Sequence, residues 1–185
     1  SKLMTEWMLH DIAAAHDMTF AALRYFNVAG GDPMGRVGQS TANATHLIKV
    51  ACQTALGTRE HIDVFGEDYP TVDGTCIRDY IHVSDLAAAH TAALTYLRKG
   101  GESLVANCGY GHGFSVRQVI EAVERAAGHG FTVKSAPRRP GDPASVVSDP
   151  TRAKTILGWR PQYDDLDQIV THALNWEDHL RKRNT

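Results

Sequence analysis

Residues 64–84, VFGEDYPTVDGTCIRDYIHVS, join a turn-rich loop carrying Arg78 to an apolar strand that ends at Val83. Ser84 then stands where a helix over 85 to about 97 would take its N-terminal cap. A strand passing into a helix is the repeating unit of an α/β fold, and the flanking sequence continues the alternation on both sides.

Upstream, Leu3, Met4, Trp7, Met8, Ile12 and Ala15 recur at spacings of three and four, which predicts an amphipathic helix over 2–16. FAALRYFNV at 20–28 reads as a buried inner strand, and Gly30, Gly31, Pro33, Gly35 and Gly38 mark a long loop. A helix over about 43–56 ends at Gly57, and a short strand at 61–65 leads back into the opening stretch.

Downstream, the pattern predicts strands at 103–107, 131–135 and 145–148 and helices at 116–127, 150–157 and about 165–182, with a Pro/Gly loop over 136–143. The fold class is therefore α/β with parallel strands. Such strands need cover on both faces and partners on both edges. If the neighbours of 20–28 lie in sequence preceding residue 1, the chain exposes a long edge and is expected to associate with itself, swap elements or aggregate.

Composition excludes several classes. The 185 residues are 43% hydrophobic and 22% charged, enough for one domain with a real core and unlike a disordered chain. A formal charge of −2 with interspersed signs announces neither nucleic acid nor an anionic membrane; the one basic run, Arg181-Lys182-Arg183, reads as a solvated helix end. No apolar run approaches the roughly 18 residues of a membrane span, and no signal peptide precedes the first helix. Cys52, Cys76 and Cys108 have neither disulfide-framework nor zinc-site spacing, so reduced thiols and a cytoplasmic location are expected, and no histidine pair points to a metal.

The 64–84 stretch, with its R-D-Y-I-H-V, is similar almost letter for letter to the UDP-binding segment of the UDP-glucose (UDP-galactose) 4-epimerases, a family of extended short-chain dehydrogenases. The resemblance runs from Ser1 to about Leu180 and covers only the latter half of the family. Ser1-Lys2-Leu3 resembles the tail of the family's Tyr-x-x-x-Lys motif, so the chain reads as a C-terminal half whose tyrosine and dinucleotide fingerprint lie upstream. The resemblance implies the end of a Rossmann-type sheet domain interwoven with a smaller α/β substrate-binding domain: 1–28 and about 85–107 complete the sheet, and about 29–84 and 108–185 mainly bind substrate.

It also implies a reaction. NAD takes a hydride from C4 of a UDP-hexose while a tyrosine removes the hydroxyl proton; the 4-keto sugar rotates and the hydride returns to the other face. One end of the substrate must be held hard throughout. By this resemblance Arg78 reaches the diphosphate, which suits the fixed fork of guanidinium donors. Arg139 and Asp142, in A-P-R-R-P-G-D, match a loop whose arginine meets a phosphate and whose carboxylate accepts from ribose hydroxyls; Pro140 stands where the family has Glu. Asn27 contacts the substrate and Phe26 lies near the nicotinamide. His46 and Leu47 match T-H-L-I-P, with Lys49 in place of the proline, and Asp63 to Phe65 hold the uracil through backbone groups and a ring. Lys2 is the catalytic lysine that binds the nicotinamide ribose and lowers the tyrosine's pKa. Val146 falls where a small side chain leaves room for an N-acetyl group, which implies that UDP-GlcNAc and UDP-GalNAc are also substrates. A homodimer is implied, with the 2–16 helix at its interface.

The residues alone leave other readings open. Arg78 could pair with Asp73 or Asp79, RRPGD could be a solvated turn, and Leu47 and Phe65 could be plain core. Gly109, Gly111 and Gly113 mimic a dinucleotide fingerprint, but the spacing is G-x-G-x-G and they read as a structural turn; His82 and His90 read as structural histidines. A-K-T-I-L-G-W-R-P resembles a common ending of the extended family, with Leu157, Trp159 and Pro161 packing the last helices. Related 4,6-dehydratases and uronate epimerases share part of the R-D-Y-I-H-V stretch, and a non-catalytic UDP-sugar-binding fragment is the reading from outside the enzymes. For this polypeptide alone the expectation is weak UDP binding at best and no turnover.

Overall fold

The computed structural model describes residues 1–183. Its elements run α1 (Lys2–Ala15), β1 (Ala21–Tyr25), β2 (Asn27–Ala29), α2 (Leu47–Ala55), β3 (Ile62–Phe65), β4 (Ile77–Arg78), β5 (Tyr80–His82), α3 (Val83–Arg98), β6 (Leu104–Cys108), β7 (Phe114–Ser115), α4 (Val116–Ala127), β8 (Val133–Ala136), β9 (Ser145–Val146), α5 (Thr151–Ile156) and α6 (Leu166–Arg183). The strands pair β1 with β6, β2 with β5 and β3 with β8, all parallel, while β4 lies between β7, antiparallel, and β9, parallel. This is the α/β class with parallel ladders that the alternation predicts. No helix among the described residues is long and apolar enough to cross a membrane.

Helices α2, α4 and α6 pack against one another, while α3 covers β1, β2 and β5 and α5 lies on β6. Val119, Val123, Ile169 and Val170 are fully buried in the resulting core, beside Ile81, Ala51 and Cys108. Helix α4 shows why local sequence suffices in places. Ser115 accepts from the Gln118 amide while the Gln118 side chain accepts from the Ser115 amide, closing a capping box, and Gly128 ends the helix in the left-handed conformation.

Several expectations need correction. The strand read at 20–28 is two strands interrupted at Phe26, because the chain changes partner from β6 to β5 there. Within it only Phe20 is buried, and Tyr25 is exposed; among the described residues β1 is paired along one edge. The helix read from 43 starts at Leu47, since Asn43 has a left-handed φ of 54° and His46 is extended. Helix α3 starts at Val83, and its cap is His82, whose Nδ1 accepts from the Ser84 amide at 3.0 Å; Ser84 lies inside the helix. Arg78 belongs to strand β4 and not to a loop, β7 appears where no strand was read, and the last strand stops at Val146.

The apolar side of α1 finds no core among the described residues. Leu3, Met4, Trp7, Met8 and Ile12 are all exposed, Trp7 by 60%. The helix is tied to β1 by the Glu6–Arg24 ion pair and an edge contact between His10 and Phe20. These two contacts make α1 antiparallel to β1, so Lys2 lies toward the carboxyl end of β1, where Phe26 and Asn27 follow.

Candidate functional site

The carboxyl ends of parallel strands are where open α/β folds leave a crevice. Here that crevice is a cavity of about 450 Å³. Asn27 reaches it from the start of β2, His46 and Leu47 from the start of α2, Asp63 and Phe65 from β3, Arg78 from β4, and Arg139 and Asp142 from the loop between β8 and β9. Eight residues singled out in the sequence thus meet from five segments. Three do not line the cavity: Lys2 is exposed on α1, Phe26 sits half-buried between β1 and β2, and Val146 is half-buried on β9 opposite Arg78 in the ladder.

Arg78 pairs with Asp142 and donates from Nη1 to the Ile77 carbonyl at 2.6 Å. Neither Asp73 nor Asp79 is its partner. Asp73 accepts from Thr75 and Ser115, and Asp79 is a fully buried hub. The Asp79 carboxylate accepts from the Tyr110 amide at 3.0 Å, the Gly111 amide at 3.1 Å, the Ser148 amide at 3.1 Å and the Ser148 hydroxyl at 2.6 Å. Gly109 permits this closure, since a Cβ there would stand 2.5 Å from Asp79 Oδ2. The G-x-G-x-G run is therefore a turn wrapped on a carboxylate, and that carboxylate fixes the ladder carrying Arg78.

In the 138–142 loop, Arg138 pairs with Asp68 and stacks on Tyr69, while the Arg139 guanidinium carbon lies 3.8 Å from the centre of the Phe65 ring. Arg139 has no carboxylate partner among the described residues. A flat cation held over an aromatic face keeps its N–H fork free for an anion. Arg78 likewise retains unspent donors, since a guanidinium carries five.

Sequence reasoning did not assign Gln39, Arg59, Tyr80, Trp176 or Glu177 to the site, although all line the cavity together with Lys49 and Cys76. The one local signal was Lys49, a lysine inside the apolar run L-I-K-V-A-C. Cys76 is buried, and burial, first among the causes, pushes its thiol pKa up despite the nearby Arg78. The three cysteines are free.

Beneath the cavity, His82 is fully buried with its Nε2 3.0 Å from His172 Nδ1 and its ring stacked on Tyr163. Because His82 Nδ1 accepts from an amide, its proton sits on Nε2 and is donated to His172. Burial, and next His172, push the His82 ring down to about 4. A depressed folded-state pKa binds fewer protons than the unfolded chain, so its stabilising contribution is complete above the ordinary value near 6.5 and is lost as pH falls toward 4. Thermal unfolding followed between pH 7.5 and 4 should show the midpoint dropping through that window, and His82→Gln should flatten the drop.

The fold is thus a parallel α/β fold whose strands end at a cavity that carries Arg59, Arg78 and Arg139 beside the rings of Phe65, Tyr80 and Trp176, the kind of concave site in which open α/β folds hold small molecules. Comparison with known proteins makes this specific. Residues 1–109 match the NAD dependent epimerase/dehydratase family. A UDP-glucose 4-epimerase from Azospirillum brasilense is 58% identical over 182 residues, covering 98% of this chain and 52% of that protein. A solved UDP-glucose 4-epimerase superposes with a TM-score of 0.93 at 48% identity, covering 98% of this chain and 55% of that one. The UDP-glucose 4-epimerase of Bifidobacterium longum, solved in complex with NAD+ and UDP, gives a TM-score of 0.89 at 38% identity, covering 96% and 53%. The chain belongs to the NAD dependent epimerase/dehydratase family. It spans about half the length of the curated relatives it matches.

Proposed function

We propose that this chain is the UDP-sugar-gripping part of a UDP-glucose 4-epimerase, which interconverts UDP-glucose and UDP-galactose with NAD. The observation that carries the reading is the convergence of Arg78, Arg139 and Asp142, from segments some sixty residues apart, on one cavity that also holds Phe65, Asn27 and His46. Arg78, anchored by Asp142 and Ile77, and Arg139, braced on Phe65, close around the diphosphate. Asp142 accepts from the ribose. Strand β3 is paired with β8 on one edge and unpaired on the other among the described residues, which leaves backbone donors and acceptors at 63–65 for the uracil. Leu47 supplies apolar wall and Asn27 meets the sugar.

The residues toward NAD fit that group. Lys2 is exposed, without a side-chain partner among the described residues, and points of contact along α1 put it at the end of β1 where the half-buried Phe26 begins. An ammonium there can donate to ribose hydroxyls and stabilise a nearby phenolate, and Phe26 offers a ring for the nicotinamide. NAD, when bound, supplies a hydride acceptor for C4 of the hexose and returns that hydride. This chain's part is to bind the nucleotide and orient the sugar while its C4 turns from one face to the other.

The domain division follows the same reading, with 1–28 and about 85–107 completing the cofactor-side sheet and the remainder holding substrate. The small side chain of Val146, opposite Arg78 in the ladder and outside the lining of the cavity, is the feature that would admit an N-acetyl group. The exposed apolar side of α1 suits association with a second copy, and three free thiols suit a cytoplasmic protein. The reading is tested by giving the protein that carries this chain NAD and UDP-glucose and following the anomeric proton signals. Appearance of UDP-galactose is expected; a folded preparation that leaves UDP-glucose untouched would overturn it.

A further inference from the structure

Lys49 and Glu177 form a buried ion pair in the wall of the cavity, 6% and 8% exposed, and both line it. They come from α2 and α6 and are 128 positions apart. Around them lie Ile48, Val50, Ala51, Cys52 and Ala173, all buried. The charge of Glu177, after burial itself, helps push the Cys52 thiol up to about 12. A buried pair of this kind adds little stability over apolar side chains of similar volume, and its best-attested use is to fix one geometry among several.

What it fixes is visible in the remaining bonds. Lys49 Nζ also donates to the Gln39 carbonyl at 3.1 Å, and the same carbonyl accepts from Trp176 Nε1 at 3.1 Å. Gln53 donates to the second oxygen of Glu177 at 3.3 Å. Gly38, next to Gln39, lies flat on the Trp176 ring, where a Cβ would come within 2.4 Å of the indole. Two helices therefore hold a single carbonyl of the long 30–46 segment. Elsewhere that segment is tied by the Gly31–Gly38 bridge, by the Asp32 contacts to Arg36 and neighbouring backbone, and by the His46 carbonyl, which accepts from the Val50 amide. Gly30, Gln39, Thr45 and His46 of this segment line the cavity.

We propose that Lys49, held by Glu177, is a positioning residue that sets the 30–46 wall against the nucleotide sugar. The inference rests on the reading of the cavity as a UDP-sugar site.

The test separates shape from stability. In K49M/E177L both charges are exchanged for apolar groups of similar size, and W176F keeps the ring against Gly38 while removing the second donor to Gln39. Thermal midpoints within a few degrees of the parent are expected for both. UDP affinity, by calorimetry, should fall roughly tenfold for the double variant and a few-fold for W176F, and amide exchange over 36–46 should quicken. In turnover the KM for UDP-glucose should rise while kcat stays. If the parent binds UDP and every folded variant binds it equally well, the positioning role is wrong although the site stands; if the parent binds no UDP, the site itself is wrong. Should the double variant not fold, W176F alone decides, by affinity and by exchange.

Discussion

Asp79→Ala is expected to destabilise this chain by about 3–5 kcal/mol, because several buried donors to one carboxylate lose their acceptor together. The carboxylate is fully buried and accepts from three backbone amides and one hydroxyl, contributed by the Tyr110–Gly111 turn and by Ser148. Each buried amide left without an acceptor costs about 1–3 kcal/mol, and alanine offers none. The loss should spread to the site, since Asp79 directly follows Arg78 and its amide donates to the Val146 carbonyl at 3.1 Å. Asn at position 79 can satisfy some of these donors but turns its own N–H group toward others, so its cost should fall between. Urea unfolding followed by tryptophan fluorescence measures both; an alanine variant within about 1 kcal/mol of the parent would show that the turn finds other partners.

Arg139→Ala should leave the fold nearly untouched and weaken UDP binding by about ten- to a hundredfold. The guanidinium lies on the open face of Phe65 and makes no carboxylate pair among the described residues, so its removal exposes little that was buried. Its loss from the ligand forfeits at least one charge-assisted hydrogen bond, about 1.5–3 kcal/mol. Arg78→Ala should cost UDP affinity on a similar scale and some stability too, because Asp142 loses its partner and the side chain is only 15% exposed. Lowered affinity without lowered stability is thus the mark of Arg139, and lowered affinity with it the mark of Arg78.

Where neighbouring residues decide a structure, the sequence was readable. Helix α4 falls on 116–127 as predicted because Ser115, Gln118 and Gly128 sit at fixed short offsets and fix its ends. The long stretch at 20–28 was misread for the opposite reason. Its composition says strand, but its division at Phe26 and its exposure depend on which strands lie beside it. Helix α1 carries the same lesson, with an apolar periodicity that is real and a face that meets no core among the described residues.

At the site, the eight residues that share the cavity were legible through motif resemblance and not through periodicity. Their partners were not legible at all. Asp73 and Asp79 were the partners left open for Arg78 in the sequence, and it pairs with neither but with Asp142, 64 positions away. The bond between Lys49 and Glu177 spans twice that distance, and only a lysine out of place in an apolar run hinted at it. His82 was read as a structural histidine from the sequence, but its place as the cap of α3 and donor to His172 needed coordinates.

Titration of this chain with UDP is the most direct test, because the eight residues assigned to the nucleotide sugar line one cavity. Calorimetry on a preparation shown folded by near-ultraviolet circular dichroism should give weak but saturable one-to-one binding that falls a further tenfold, roughly, or more in Arg139→Ala. Folded chain that takes up no UDP, or binds it just as well without Arg139, would contradict the account.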